Sequence, residues 1–128
     1  MAKTTYTASA YWFNEAQVTL QVDFDVLTTE LAAEINGFWS SSEHRLRDED
    51  GDVQRAVIRM FGEAAIRHFM VDGGASFGPT TDVSFTEKVI HAQGEGWPDV
   101  EGLGILITAA SVSTPEYEDV SLEVASAC

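Results

Sequence analysis

Val18, Leu20, Val22, Phe24 and Val26 alternate with Thr19, Gln21, Asp23 and Asp25. Strand side chains point to opposite faces in turn, so this run predicts a β-strand with one buried and one wetted face. A strand with a polar face needs hydrogen-bonded neighbours and a sheet that leaves that face in water. This points to an antiparallel sheet. Thr5 to Phe13 is rich in Thr, Tyr, Trp and Phe, which suit a pleated surface, and reads as a preceding strand. Asn14-Glu15-Ala16 between them reads as a hairpin turn.

The spacing then becomes helical. Thr28 or Thr29 can cap a helix whose apolar stripe is Leu31, Ala32, Ile35, Phe38 and Trp39, fraying at Ser40 to Ser42. A longer helix starts near Asp50-Gly51-Asp52, where carboxylates suit the orphan N–H groups of a first turn. Val53, Val57, Met60, Phe61, Ala64 and Ala65 form its apolar face, and Ile58, Ile66, Phe69 and Met70 widen it. The width predicts a central helix, ended by Gly73 or Gly74. Residues 74–83 read as a loop. Ser84-Phe85-Thr86-Glu87 matches a capping box, predicting a short helix over 85–92, with a strand as the alternative. Gly94 to Pro98 reads as irregular. Leu103 to Val112, apolar on both sides, predicts a buried strand. Val120, Leu122 and Val124 alternate with Ser121 and Glu123 and predict a last strand, reached through Thr114-Pro115-Glu116.

Strands at both ends with helices between them read as one α+β domain over residues 1–128. The expected architecture is an antiparallel four-stranded sheet, two strands from each end of the chain, with helices packed on one face. Its far face would show Thr19, Gln21, Asp23, Asp25, Ser121 and Glu123 to solvent.

A hydrophobic fraction of 45% excludes wholesale disorder. No apolar run approaches the length of a membrane span, and Met1 to Thr4 lacks the apolar region of a secretory leader. The single cysteine, Cys128, excludes an internal disulfide and a cysteine zinc site, leaving only a bridge between copies under oxidising conditions. The expected compartment is the cytoplasm.

The formal charge of −14 is unevenly spread. Five of the seven Lys and Arg residues (Arg45, Arg47, Arg55, Arg59 and Arg67) lie between residues 43 and 67. Lys88 is the one cation after residue 68. A body this acidic is repelled by nucleic-acid phosphates, so direct DNA or RNA binding is not expected. Basic proteins are favoured partners, although the same charge also serves solubility or a saline interior.

Several motifs point to chemistry and meet a structural objection. Gly74-Ala75-Ser76-Phe77-Gly78, with Asp82 and His91 following, has the order of a hydrolase nucleophile elbow. It follows a long helix instead of a strand, so a helix-exit loop is expected. Asp48 to Asp52 offers oxygens for calcium, but its glycine is out of register with a calcium loop, and an acidic helix-capping turn is expected. His44, His68 and His91 lack metal-ligand spacing. No cofactor motif is present, and catalysis is not expected. Arg55, Arg59, Glu63 and Arg67 recur every four residues and share one helix face, Glu63 standing four residues from two arginines. That face is either a self-paired surface or a cationic strip for a carboxylate-rich partner or a second copy. Trp97, in Glu95-Gly96-Trp97-Pro98, is either a loop pin or an exposed binding anchor.

Glu34-Ile35-Asn36-Gly37-Phe38-Trp39, the Arg45-Leu46 and Gly51-Asp52-Val53 steps, and Glu95-Gly96-Trp97-Pro98 before Gly104-Ile105 resemble a small bacterial family of unknown function. That family is carried on chromosomes, plasmids and phages. The match spans about residues 16 to 112. The resemblance implies an accessory protein, in some cases from a mobile element, and brings no catalytic residues. The resulting expectation is a non-enzymatic acidic protein that binds another macromolecule, with Arg55, Arg59, Arg67 and Trp97 as contacts. The alternatives are an acidic DNA mimic built on Asp99, Glu101, Glu116, Glu118 and Asp119, and a small hydrolase using Ser76, Asp82 and His91.

Overall fold

A computed structural model describes residues 3–10, 16–115 and 117–125, apart from the side chain of Asp119. The expected hairpin turn at 14–16 lies almost wholly outside them, as do Glu116 and Cys128. Strands β1 (Lys3–Ser9) and β2 (Ala16–Asp23) are followed by helices α1 (Thr29–Phe38), α2 (Ser42–Asp48) and α3 (Val53–Val71). Strand β3 (Ala75–Phe77), helices α4 (Ser84–Gln93) and α5 (Val100–Leu103), and strand β4 (Ile105–Val112) complete the order. A 3-10 turn spans Tyr117–Asp119.

The sheet is antiparallel and four-stranded, in the order β1-β2-β4-β3. The α+β class is as expected, but one strand is exchanged. Among the described residues, 120–124 join no strand and stand exposed, while Ala75–Phe77, expected as loop, pairs with β4. Ser121 and Glu123 are therefore not part of the open sheet face. Thr19, Gln21 and Asp23 are half-buried there, beside exposed Thr5, Thr7, Ser9 and Gln17.

Helix α3 lies against β1, β2 and β4 and also touches α1, α2 and α4. Its Val57, Phe61, Ala64 and Ala65 meet a sheet surface made by Val18, Leu20 and Val22 of β2 and Ile105 and Ile107 of β4. The apolar look of 103–112 comes from a bulge and does not reflect two covered faces. Pairing slips between Thr19–Ala109 and Leu20–Ile107, so burial shifts from Ile105 and Ile107 to Ala110 and Val112. One extra residue resets the alternation and keeps all four on the core side.

Local caps follow the sequence in part. Thr28 Oγ1 accepts from the Leu31 amide, and Asp52 Oδ1 accepts from the Arg55 amide. The expected capping box at 84–87 does not form. Ser84 is the first helical residue, and Asp82 Oδ1 accepts its amide proton. The Thr86 side chain turns inward and is fully buried, where its Oγ1 accepts from the Ile107 amide at 2.9 Å. Helix α4 thus covers the edge of β4 beyond the short β3, meeting a strand amide that would otherwise have no partner.

Ser40 to Ser42 do not fray. They turn the chain into α2 through Ser41, which has a left-handed backbone (φ 66°). The corner is held by Arg45. Its guanidinium donates to Asn36 Oδ1 and to the carbonyls of Asn36, Trp39 and Ser40. The Asn36 carbonyl belongs to the last turn of α1 and Trp39 is its C-cap, so the guanidinium meets carbonyls that the helix end leaves unpaired as well as the Ser40 carbonyl just beyond it. Asn36 is buried and donates to the Ser42 carbonyl.

Candidate functional site

Three arginines of α3, Arg55, Arg59 and Arg67, stand on one exposed helix face, as their spacing requires. Beside them runs the edge strand β1. Tyr6, Ala8 and Ala10 turn toward the helix layer and are half-buried, while Thr5, Thr7 and Ser9 face solvent. Between strand and helix lies an open groove of about 700 Å³. Its floor is apolar, with Tyr6, Ala8, Leu20, Ile58, Ile66 and Met70, and its rim carries the three arginines with Glu49 and Glu63. Within the groove, α3 approaches β1 most tightly at Gly62. A Cβ added to Gly62 would sit 2.5 Å from the Ala8 Cβ.

The rim is internally ordered. Glu49, at the end of α2, accepts from Arg55 Nε through Oε1 and from Arg59 Nη1 through Oε2, both at 2.9 Å. The Glu49 side chain is only 13% exposed, and its two guanidinium donors hold its carboxyl below the usual glutamate range. The hydrogen bond from Arg55 to Glu49 raises the arginine's own pKa in turn. Arg55 also lies over the Tyr6 ring, 5.7 Å from its centroid, which joins the rim to β1. Arg67 pairs with Glu63 at 3.4 Å. Sequence spacing offered Glu63 to both Arg59 and Arg67. The structure gives it to Arg67 and gives Arg59 to Glu49. Glu49 sits on a different element, and no local spacing in the sequence identifies it.

Trp97 does not line this groove. Its ring is packed edge-on against Phe61 at 5.1 Å, within the partly buried shell of the core. The neighbouring Gly96 (φ 100°) brings the loop against Phe38 and Trp39, where a Cβ would stand 2.5 Å from the Phe38 ring. Trp97 therefore acts as a loop pin.

Asp48 to Asp52 form a turn that caps α3 and anchors its arginines, with His44 pairing to Asp48 at 3.3 Å. Among the described residues, no three His, Cys, Asp or Glu side chains gather as a metal site. Ser76 lies in β3 opposite Ser111, and Asp82 caps the Ser84 amide. His91 is exposed on α4. Among the described residues, no hydrogen bond joins these three. Of the carboxylates considered for DNA mimicry, Asp99 Oδ1 accepts from the Gly102 amide at the start of α5. Glu101 and Glu118 are exposed, while Glu116 and the Asp119 side chain lie outside the described residues. Among the described residues, no helix is long and apolar enough to cross a membrane.

A family model described as "Protein of unknown function (DUF2528)" matches residues 17–122. The chain is 33% identical over 100 residues to protein ea10 of Escherichia phage lambda, covering 77% of this chain and 79% of that protein. The lambda prophage-derived protein ea10 of Escherichia coli O6:H1 matches to the same extent. No solved structure matches the chain. The matched span contains the α1–α2 corner, the arginine face and the Trp97 loop, and on this evidence the chain belongs to the DUF2528 family.

Proposed function

We propose that this chain is a non-enzymatic bacterial cytoplasmic protein that binds another protein through the groove between β1 and α3. The observation that carries this reading is the placement of Arg55, Arg59 and Arg67 around an apolar floor on a body of net charge −14. Such a groove suits a polypeptide segment with apolar side chains beside carboxylates. The floor takes the apolar groups, and guanidinium groups recognise carboxylates in a planar, two-bonded manner. The excess negative charge elsewhere disfavours nucleic acid.

The test is affinity capture from the native host, eluted by salt, with wild type, Arg59→Glu and Arg47→Glu compared. Arg47 is exposed on α2 and does not line the groove, so it controls for charge alone. A captured protein that Arg59→Glu loses and Arg47→Glu keeps supports the reading. Equal capture by all three removes the groove from consideration.

A further inference from the structure

Two unpartnered features of the chain fit each other. The first is the outer edge of β1. As the end strand of the sheet, it pairs only with β2 among the described residues. Alternate N–H and C=O groups along its other side are free to accept a further strand. This edge carries Tyr6 to Ala10, which form one wall of the arginine-rimmed groove.

The second is the segment after β4. Val120 is 67% exposed, Leu122 98% and Val124 80%, and none of them belongs to a strand. Three apolar side chains at alternate positions, all in water, have the pattern of a half-buried strand without a sheet. Isolated exposed apolar residues are ordinary, but a period-two set at this exposure marks a surface that is covered in use.

We propose that residues 118–124 of one copy, with the 3-10 turn at Tyr117–Asp119 opened, add to the β1 edge of a second copy as a fifth strand. This deepens the groove reading and rests on it. In the paired strand, Val120, Leu122 and Val124 share one face and enter the apolar groove. Three alternate side chains span about 13 Å along a strand, the same length as Tyr6 and Ala8 of β1 with Ala10 just past its end. Glu118 shares their face, two residues before Val120, and reaches the arginine rim. Ser121 and Glu123 fall on the opposite face. There they extend the polar surface already formed by exposed Thr5, Thr7 and Ser9. Charge complementarity supports the same occupant. Three of the chain's seven Lys and Arg residues line the groove, and its last sixty-one residues carry Lys88 alone against ten acids. Reciprocal donation closes a two-fold dimer, whereas one-way donation would build open chains.

The test is molar mass by light scattering and sedimentation across a dilution series of the full chain, with amide exchange read at residues 118–124. Wild type is expected to dimerise, with those amides protected in the dimer and exposed on dilution. Leu122→Asp, at a fully exposed position in one copy, is expected to leave the melting temperature of the dilute protein unchanged. It should weaken the dimer by about a hundredfold or more, because a two-fold dimer loses two buried leucines, one from each copy. Arg67→Glu should weaken it several-fold and flatten its loss of affinity with rising salt, because a screened attraction is removed. A dimer indifferent to Leu122→Asp overturns the proposal, because its interface then lies elsewhere. A dimer sensitive to Leu122→Asp and indifferent to Arg67→Glu also overturns it, because the segment then docks outside the groove. A monomer at every concentration overturns the second copy as occupant, and protected amides at 118–124 in that monomer would show the segment folding on its own chain. In that last case a partner lost through Arg59→Glu would leave the groove reading standing.

Discussion

Arg45 holds Asn36 by both side chain and backbone: its Nε donates to Asn36 Oδ1 at 2.8 Å, and its Nη2 donates to the Asn36 carbonyl at 2.9 Å. The pair closes the C-terminal end of α1 without a glycine cap, and it fixes the angle at which α2 leaves. Because Glu49 directly follows α2 as its C-cap, the same clamp sets where the carboxylate between Arg55 and Arg59 stands.

Arg45→Ala leaves a buried amide oxygen and several helix-end carbonyls short of donors. The expected cost is about 2 kcal/mol, read as a lower urea midpoint with an unchanged slope. Arg45→Lys recovers little of it, because an ammonium cannot span acceptors that a planar guanidinium serves together. Full recovery by lysine would show that charge alone holds the corner.

The Glu49 carboxyl has its pKa lowered in the folded protein by Arg55 and Arg59. A carboxyl with a depressed folded pKa contributes stability that is present above its unfolded value. That stability is lost as pH falls through the folded value. Glu49→Gln is therefore expected to cost about 1 kcal/mol at neutral pH, a modest figure because both arginines are more than half exposed and screened by solvent. The gap between wild type and variant should close as pH drops below the ordinary carboxylate range. Denaturation curves for both proteins across that range check it, and a gap that widens on acidification would reverse the assignment.

Gly62→Ala would raise helix propensity in isolation by about 1 kcal/mol. Here the new Cβ meets the Ala8 Cβ at 2.5 Å, so α3 must lift from β1. The net expectation is destabilisation by roughly 1–3 kcal/mol. Ala8→Gly in the same chain removes the opposing methyl and should restore most of the loss. A thermal-melt comparison of the two single variants and the double variant decides this, since simple additivity would show that the two sites do not touch.

Thr86→Val keeps shape and removes the oxygen that accepts from the Ile107 amide. An unpaired buried N–H costs about 1–3 kcal/mol, whereas Thr86→Ser retains the bond and loses only a methyl. Amide exchange at Ile107 should quicken in the valine variant and stay slow in the serine variant.

The elements legible in the sequence were those whose pattern repeats within one segment. The alternation at 18–23 marked β2 and its inward face, although Phe24 and Val26, which continue it, lie in the turn after the strand; the broad stripe from Val53 to Met70 marked α3 as central. What escaped was set by contacts with distant chain. Helix α2 buries none of its residues and owes its place to Arg45 reaching back to α1. Strand β3 is three residues long and is defined only by its register with Val112, Ser111 and Ala110. Val120 to Val124 carry a strand's alternation but pair with no strand among the described residues. The arginine spacing gave a shared helix face. It could not give the groove, because the other wall belongs to β1, fifty residues earlier in the chain.

The sheet order also bears on how the chain is made. Strands β1 and β2 are neighbours in sequence and can pair early, but the central pairing joins Ala16–Val22 to Ile105–Val112. On a ribosome, Val18, Leu20 and Val22 must wait for nearly ninety further residues before β4 reaches them. During that interval they present an open apolar surface, in which long-range strand pairing is slow and premature association is favoured. Helix α3 is synthesised midway and is broad enough to cover that surface first. Substitutions on its apolar face should therefore lower the yield of folded protein in cells by more than their effect on the finished molecule would suggest.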